Sequence, residues 1–300
     1  MTAISHRPAT KACLDIRPLA PSLGAEIHGV TLAGDLPPAT VEAIRQAIFR
    51  YKVVFFRGQH HLDDRGQEAF ARLLGPIAPH PTASIVEGTE TIQNFDAKDF
   101  LASFWHTDVT FIDRYPQFSV LRGVVIPPLG GDTVWANTVA AYGALPRELQ
   151  ALADRLWALH TNDREYPGRQ ANGVPLERLL RDHAKYETEQ PLVQIHPYTG
   201  ERALILGDIF RRFIGYDGET SDLLFRLFQR YITRLENTVR WRWAEGDVAV
   251  WDNRATQHRA LDDFGAAPRI VRRVLVPGEP GIGVDGRRSV TRRKPEALAA

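Results

Sequence analysis

Hydrophobic residues occur along most of the chain in short runs, separated by polar stretches that contain glycine or proline. Short apolar, β-branched and aromatic runs bounded in this way are typical of β-strands. The continuous apolar run at 52–56, which Gly58 ends, indicates a strand buried on both faces. By these criteria the sequence predicts strands at 13–19, 25–30, 52–56, 104–111, 118–126, 191–196, 202–206, 238–243, 248–251 and 269–276.

Four other segments have helical periodicity. After Pro37 and Pro38, apolar residues recur at Val41, Ile44 and Ile48, which predicts an amphipathic helix. The same spacing predicts helices at 64–74, within 132–160 and at 220–235. Many short strands with a few helices predict a mainly β protein, with flanking helices packed outside a β-sandwich or barrel.

The chain has 300 residues and a hydrophobic content of 44%, which is enough for a sizeable core. We expect 1–300 to form a single domain, because barrel folds often reach this length without dividing. Residues 1–11 are predicted to be disordered, and 280–300 to form a flexible tail. Residues 161–190 have no convincing apolar period and are predicted to form an active-site lid, with an ordinary surface excursion as the alternative.

Charge and cysteine content exclude several classes of protein. The formal net charge of +1 gives no general reason to bind nucleic acid or a membrane, and the basic residues at 287–288 and 292–294 belong to the predicted tail. The single cysteine excludes an internal disulfide framework and suits a reducing cytoplasm. No signal peptide or membrane span is visible. The sequence therefore predicts a cytoplasmic protein; its oligomeric state stays open, with the helix at 220–235 as a candidate interface.

Candidate chemistry begins with His106 and Asp108, two residues apart in the predicted strand 104–111. Because strand side chains alternate between faces, both would point the same way and could bind one metal ion. A second histidine, His258, follows the predicted strand 248–251. Two histidines and one carboxylate form the ligand set of non-haem Fe(II) oxygenases, which keeps coordination positions open.

The His-x-Asp pattern alone is weak, because about one chance occurrence is expected in a chain of this composition. The chain has another copy at His61 and Asp63, which opens the helix predicted at 64–74, so that Asp63 is better explained as an N-cap. The pair at His106 and Asp108 lies instead among aromatic and β-branched residues, as in a buried strand.

Two arginines further along the chain could bind an anion. Arg269 and Arg273 share one face of the predicted strand 269–276, whereas Arg272 points away. A buried arginine is costly unless an anion meets it, and a carboxylate is a natural partner. The alternative is an exposed strand face with solvated arginines. Thr133 offers a hydroxyl for the same carboxylate, although threonines in turns usually cap the backbone.

These motifs resemble the taurine dioxygenase group of Fe(II)/2-oxoglutarate-dependent dioxygenases over nearly the whole chain. The resemblance rests on Trp105-His106-Thr107-Asp108, Gly130-Gly131-Asp132-Thr133, the segment 251–258 that ends in His258, and the pair Arg269 and Arg273. Within the group, the segments 53–59, 134–138, 186–189 and 233–243 are most similar to the bacterial alkylsulfatase branch, which cleaves alkyl sulfate esters oxidatively.

The resemblance implies a double-stranded β-helix, or jelly-roll, core. It implies that Fe(II) is bound by His106, Asp108 and His258, and that 2-oxoglutarate and O2 are co-substrates. It further implies that Arg273 and Thr133 hold the distal carboxylate of 2-oxoglutarate and that Arg269 lies near its metal-bound end.

The resemblance also bears on the organic substrate. His80 matches the histidine that binds the sulfonate or sulfate group in the family, although by itself it would be an ordinary loop histidine. Two polar residues of enzymes that act on taurine, a tyrosine and an asparagine, correspond by counting to Ala83 and Ala102. This departure argues against taurine.

The predicted activity is therefore hydroxylation of the carbon next to the ester oxygen of an alkyl sulfate. The products would be an aldehyde, sulfate, succinate and CO2. A sulfonate or carboxylate hydroxylase on the same scaffold is the first alternative, since fold and cofactor do not fix the substrate. A β-barrel that binds a small acid without redox chemistry is the second. A nucleic-acid demethylating enzyme would need a basic surface, which the net charge does not favour.

Overall fold

The computed structural model describes residues 14–162 and 185–294, and these residues form four β-sheets and several helices. The largest sheet has seven strands in the order β1-β2-β3-β13-β5-β15-β4. All its pairings are antiparallel except β2 with β3. Its strands are β1 (Asp15–Pro18), β2 (Ala25–His28), β3 (Val53–Phe56), β4 (Gln93–Asp96), β5 (Pro116–Val125), β13 (Val248–Asp252) and β15 (Ile270–Pro277).

Three smaller sheets complete the β-structure of the described residues. A three-stranded sheet consists of β12 (Thr238–Trp241), β6 (Thr133–Asn137) and β14 (Thr256–Ala260). A four-stranded sheet consists of β11 (Phe210–Phe213), β7 (Trp157–Thr161), β8 (Glu187–Pro191) and β16 (Val290–Arg293), and a hairpin consists of β9 (Val193–Ile195) and β10 (Arg202–Leu204). The hairpin predicted around 191–206 is confirmed.

The helices lie outside the sheets. They are α1 (Pro38–Tyr51), α2 (Asp64–Leu74), α3 (Thr138–Gly143), α4 (Arg147–Ala153) and α5 (Gly218–Ile232), with a 3-10 turn at Leu235–Asn237. The buried faces of α1 and α2 pack on one face of the seven-stranded sheet. In α2, the Asp63 carboxylate accepts a hydrogen bond from the Gly66 amide at 2.7 Å, so the N-cap explanation of His61-Leu62-Asp63 is confirmed.

The other face of the large sheet packs against the three-stranded sheet. This core is rich in aromatic residues: Phe55 of β3 stacks on Trp241 of β12 with ring centroids 4.1 Å apart, and Trp135 of β6 contacts Trp251 of β13 at 5.7 Å. Two sheets facing one another across such a core, with helices outside, confirm the predicted jelly-roll fold. The candidate site lies between these two sheets.

The helical prediction for 132–160 is wrong at both ends. Residues at 133–137 and 157–161 are strands β6 and β7, and only α3 and α4 are helical between them. Leu149 and Leu152 lie in α4, which has Pro146 at its N-cap, and strand pairing determines the structure on either side of the two helices. Strands β4, β11, β14 and β16 were missed because their polar residues hide the alternation.

The predicted tail and the predicted lid both contain strand residues. Val290–Arg293 pairs antiparallel with β8, and the flexibility of the tail 280–300 stays a prediction. Thr161 pairs with Glu187, so both ends of the segment 161–190 belong to the ladder between β7 and β8. The centre of that segment, 163–184, and the predicted disordered start, 1–11, lie outside the described residues, and the lid stays a prediction.

No described helix combines the length and the apolar composition that crossing a bilayer requires. The predicted single-domain organisation is not tested by these features and stays a prediction.

Candidate metal and anion site

The structure brings His106, Asp108 and His258 together. The Nε2 atom of His106 lies 3.5 Å from Oδ1 of Asp108, and Nε2 of His258 lies 3.8 Å from the same oxygen. One ligand atom from each residue falls within 4.8 Å of the other two, and all three side chains are buried. Residues 106 and 258 are distant in sequence and meet only through the fold.

Backbone pairing explains why the two histidines are neighbours. His106 and His258 form an isolated antiparallel bridge, with N–H to O distances of 3.0 Å and 2.8 Å. His258 follows β13, as predicted, and lies in the middle of a further strand, β14, that the sequence did not predict. His106 therefore adds a single residue pair to the edge of the three-stranded sheet.

The predicted strand 104–111 is wrong. Only His106 pairs, and from Asp108 onward the chain turns, with Val109 in the left-handed region at φ 60°. The apolar residues Val109 and Phe111 that suggested a strand are buried because this turn packs into a small core with Ile209 and Leu275. His106 and Asp108 thus meet where a single bridge leads into a turn, and not within a regular strand.

The two imidazoles are oriented to offer Nε2 as a ligand. The Nδ1 atom of His106 lies 3.0 Å from the carbonyl oxygen of Phe104; because a carbonyl can only accept, Nδ1 carries the proton. The ring of His258 packs on Trp251 with centroids 4.7 Å apart. Its buried Nδ1 has no hydrogen-bond partner within the described part of the chain. Burial, and next the neighbouring His106, hold the pKa of His258 well below its usual range, which keeps it in the neutral, metal-binding form.

Asp108 is held in its ionised form. Burial alone would raise its pKa, but the charge of Arg273, followed by His258 and His106, outweighs burial and holds the pKa well below the usual range. A guanidinium N–H of Arg273 donates to Oδ1, and the hydroxyl of Ser119 donates to Oδ2 at 2.7 Å. Two neutral histidine nitrogens and an ionised carboxylate oxygen are the donors that non-haem Fe(II) takes, so the three residues fit that ion.

Arg269 is a buried cation, and no acidic side chain of the described residues forms a salt bridge with it. It is 3% exposed, its Nε donates to the carbonyl of Gly131 at 2.8 Å, and Nη2 lies 3.5 Å from Oγ1 of Thr133. Within 14–162 and 185–294, no carboxylate lies within 4.0 Å of it. Burial lowers the pKa of Arg269 to about 10, against a smaller opposite effect of Asp132, and the guanidinium is still charged at neutral pH. A carboxylate entering the pocket could therefore pair with it directly.

Thr133 lies beside a different arginine from the one with which the sequence analysis paired it. Thr133 was assigned to Arg273, but its hydroxyl lies next to Arg269 and accepts a hydrogen bond from the indole of Trp243 at 3.0 Å. Arg273 contacts Asp108 and donates to Oε1 of Gln93 at 3.0 Å. Arg272 points to the other side of β15 and pairs with Asp64 of α2, as its predicted orientation requires.

One pocket joins these groups. Its polar lining consists of the two histidines, the two arginines and Thr133, and the described lining residues include no acid. Its apolar lining consists of Phe95, Phe100, Leu101, Ala102, Leu121, Trp251, Ala260 and Val271. Such a pocket suits an anionic group joined to an apolar one.

His80 is not among the residues that line this pocket. It is half-buried, its ring lies edge-on to Phe111 with centroids 5.9 Å apart, and its Nδ1 accepts from the backbone N–H of Thr82 at 3.1 Å. The predicted role of His80 in binding the substrate stays a prediction. Ala83 is exposed on the same loop, whereas Ala102 lines the pocket.

Sequence analysis missed two residues that contact Asp108. Ser119 is the lone serine of a buried apolar strand, and such a polar residue was a usable signal. Asn253 lies in the conspicuous segment 251–258, but nothing in its spacing indicates its partner, Asp108, 145 residues earlier.

A jelly-roll fold with two histidines and an aspartate at the mouth of a basic pocket defines a class of metal-dependent oxygenases. Residues 15–275 match the model of the taurine catabolism dioxygenase TauD, TfdA family. The chain belongs to this family, and the predictions of an oxygenase and of Fe(II), 2-oxoglutarate and O2 as its cofactor and co-substrates are confirmed.

Individual relatives are similar over almost their whole length. The α-ketoglutarate-dependent sulfate ester dioxygenase of Pseudomonas putida is 54% identical, with 94% of this chain and 95% of that protein covered. An alkylsulfatase of Acinetobacter baylyi is 47% identical, with 97% and 93% covered. The crystal structure of a taurine dioxygenase from Burkholderia xenovorans superposes with a TM-score of 0.79 at 37% identity, covering 93% of this chain and 96% of that one.

Proposed function

We propose that this enzyme hydroxylates the carbon next to the ester oxygen of alkyl sulfates. The hydroxylated product is a hemiacetal-like sulfate ester, which collapses to an aldehyde and inorganic sulfate, while 2-oxoglutarate is converted to succinate and CO2. The sulfate-ester assignment is supported by two relatives, named as a sulfate ester dioxygenase and an alkylsulfatase, at 54% and 47% identity.

In this proposal His106, Asp108 and His258 hold the iron. Bound Fe(II) supplies the site where O2 is activated and 2-oxoglutarate is oxidised. Asp108 is already ionised and His258 already neutral, so neither residue has to lose a proton when the metal binds. The aromatic packing around His258 and the bridge to His106 keep the ligand atoms in place when the metal is loaded.

Arg269 and Thr133 hold the distal carboxylate of 2-oxoglutarate. The observation that carries this assignment is the buried guanidinium of Arg269, 3% exposed and without a described acidic partner. Nη2 of Arg269 and the Thr133 hydroxyl lie 3.5 Å apart, so one carboxylate beside them could accept hydrogen bonds from both groups. Binding of this distal carboxylate also explains why the mostly apolar wall of the pocket contains a cation.

Arg273 is placed to bind negative charge at the metal end of the pocket. Its contact with Asp108 puts it beside the ligand cluster, where it can orient the sulfate head so that the adjacent carbon faces the iron. The apolar residues of the lining provide the contact surface for the alkyl chain. His80 remains a predicted second contact of the sulfate group, and the segment 161–190 remains a predicted lid over the alkyl chain.

A sulfonate hydroxylase is the alternative within the family. Taurine carries an ammonium group, and the described pocket lining contains no acidic side chain to pair with it. Ala102 also offers no hydrogen-bonding side chain where counting places the asparagine of enzymes that act on taurine. These features favour an alkyl group over an aminoalkyl group.

The cytoplasmic location and the candidate interface on α5 stay predictions.

A substrate panel separates the alternatives. Iron-loaded enzyme with 2-oxoglutarate is offered hexyl sulfate, hexane-1-sulfonate and taurine, and sulfate, sulfite and succinate are measured. We expect hexyl sulfate to release sulfate with a kcat/KM at least about 100-fold above that for taurine, because an unpaired buried ammonium costs at least about 3 kcal/mol. Taurine turnover with sulfite release at a comparable rate would contradict the sulfate-ester proposal.

A further inference from the structure

We propose that Ser119 and Asn253 are positioning residues that keep Asp108 with one carboxylate oxygen toward the histidines and the other away from them. This inference rests on the proposed role of His106, Asp108 and His258 in binding the metal. Neither residue lines the pocket, so both would act through Asp108 and not on the substrate.

The two oxygens of Asp108 have different surroundings. Oδ1 faces both histidine Nε2 atoms, at 3.5 Å and 3.8 Å. Oδ2 accepts a 2.7 Å hydrogen bond from Ser119. Ser119 is fully buried in the middle of β5, where it pairs with Trp251 on one side and Leu275 on the other. Because two ladders fix its backbone, the Ser119 hydroxyl fixes the rotation of the Asp108 carboxylate.

Asn253 holds the backbone of Asp108 on both sides. Its Oδ1 accepts from the Asp108 N–H at 2.9 Å, and its Nδ2 donates to the Asp108 carbonyl at 3.0 Å and to that of Pro116 at 3.1 Å. These bonds use both donors of a side chain that is 0% exposed. The amide thus ties the segment carrying Asp108 to the start of β5, the strand that carries Ser119.

This arrangement is needed because the next residue is strained. Val109 has φ 60°, a conformation that β-branched residues rarely adopt and that persists only where surrounding contacts enforce it. Without the reciprocal bonds of Asn253, the turn can relax to ordinary backbone angles, and Asp108 moves with it. Asn253 therefore sets the position of Asp108, and Ser119 sets its orientation.

Co(II) binding tests the proposal without relying on turnover. Ser119→Ala and Asn253→Ala are each expected to weaken Co(II) binding by about 10- to 100-fold and to change the visible d–d spectrum of the bound ion. The melting temperature of the metal-free protein should fall no further than in matched controls. Ser221→Ala removes a buried hydroxyl that accepts from the Phe213 N–H at 3.1 Å. Asn237→Ala removes a buried amide that donates to the Asn137 and Ile232 carbonyls.

The outcomes distinguish the inference from the proposed function. If wild type and His106→Ala bind Co(II) equally, the metal site is wrong, and the inference falls with it. If wild type binds through His106 but Ser119→Ala matches Ser221→Ala in affinity and spectrum, the positioning role alone is overturned. Should Asn253→Ala fail to fold, the Ser119→Ala result still decides.

Discussion

His106→Ala is expected to abolish iron-dependent formation of succinate, a loss of at least about 1,000-fold in turnover. The substitution removes one of three protein ligands. It leaves a single histidine and Asp108, and Arg273 already pairs with the charge of Asp108. The measurement is bound iron per chain after anaerobic loading, followed by succinate released on exposure to air. Both quantities should fall together.

His61→Ala is the matched control for that loss. His61 is the histidine of the other His-x-Asp motif; it is exposed, and its Nε2 lies 2.9 Å from the carbonyl oxygen of Leu32. This variant should keep the iron content and the turnover of wild type. Full iron loading with normal succinate formation in His106→Ala would show that His106 is not a metal ligand.

Arg269→Met is expected to weaken the binding of 2-oxoglutarate without lowering the stability of the ligand-free protein. The KM for 2-oxoglutarate should rise by roughly 30-fold to several thousand-fold, because a lost buried charge partner costs about 2–5 kcal/mol. The free energy of unfolding of the ligand-free protein should stay the same or increase, because an unpaired buried cation is replaced by an apolar side chain of similar length. Initial rates over a range of 2-oxoglutarate concentrations and denaturant titrations give the two quantities.

Arg272→Met provides the comparison for Arg269→Met. Arg272 lies on the same strand, β15, but faces α2, where it pairs with Asp64. Its removal should leave the KM for 2-oxoglutarate within about twofold of wild type, since additivity predicts little coupling between opposite faces. An unchanged KM in Arg269→Met, or an equal rise in both variants, would contradict the assignment of Arg269 to the distal carboxylate.

The sequence was sufficient for the class of fold and for the three candidate ligands that the structure brings together. His106, Asp108 and His258 could be predicted because few residue types bind Fe(II) and their order along the chain is distinctive. The strand prediction at 104–111 failed because burial of Val109 and Phe111 produces the same apolar pattern in a packed turn as in a strand. His106 and Asp108 were thus identified together, although the strand that was predicted to bring them together does not form.

Pairings across the fold were beyond prediction from one sequence. The neighbourhood of Thr133 and Arg269 depends on how β6 faces β15, and the contacts of Ser119 and Asn253 with Asp108 span 11 and 145 residues. No local pattern encodes such distances, because each contact is set by register and sheet packing. Only the contact of Ser119 with Asp108 had a local indication in the sequence, a single serine within a mostly apolar strand.

The measurement that tests the central claim most directly is the stoichiometry of succinate and sulfate in one reaction. Protein loaded anaerobically with Fe(II) and supplied with 2-oxoglutarate and hexyl sulfate is exposed to air, and both products are followed over time. If the enzyme is a sulfate ester dioxygenase, succinate and sulfate rise together in equal amounts and neither forms without iron. Sulfate release that continues without 2-oxoglutarate, or succinate formation without sulfate, would contradict it.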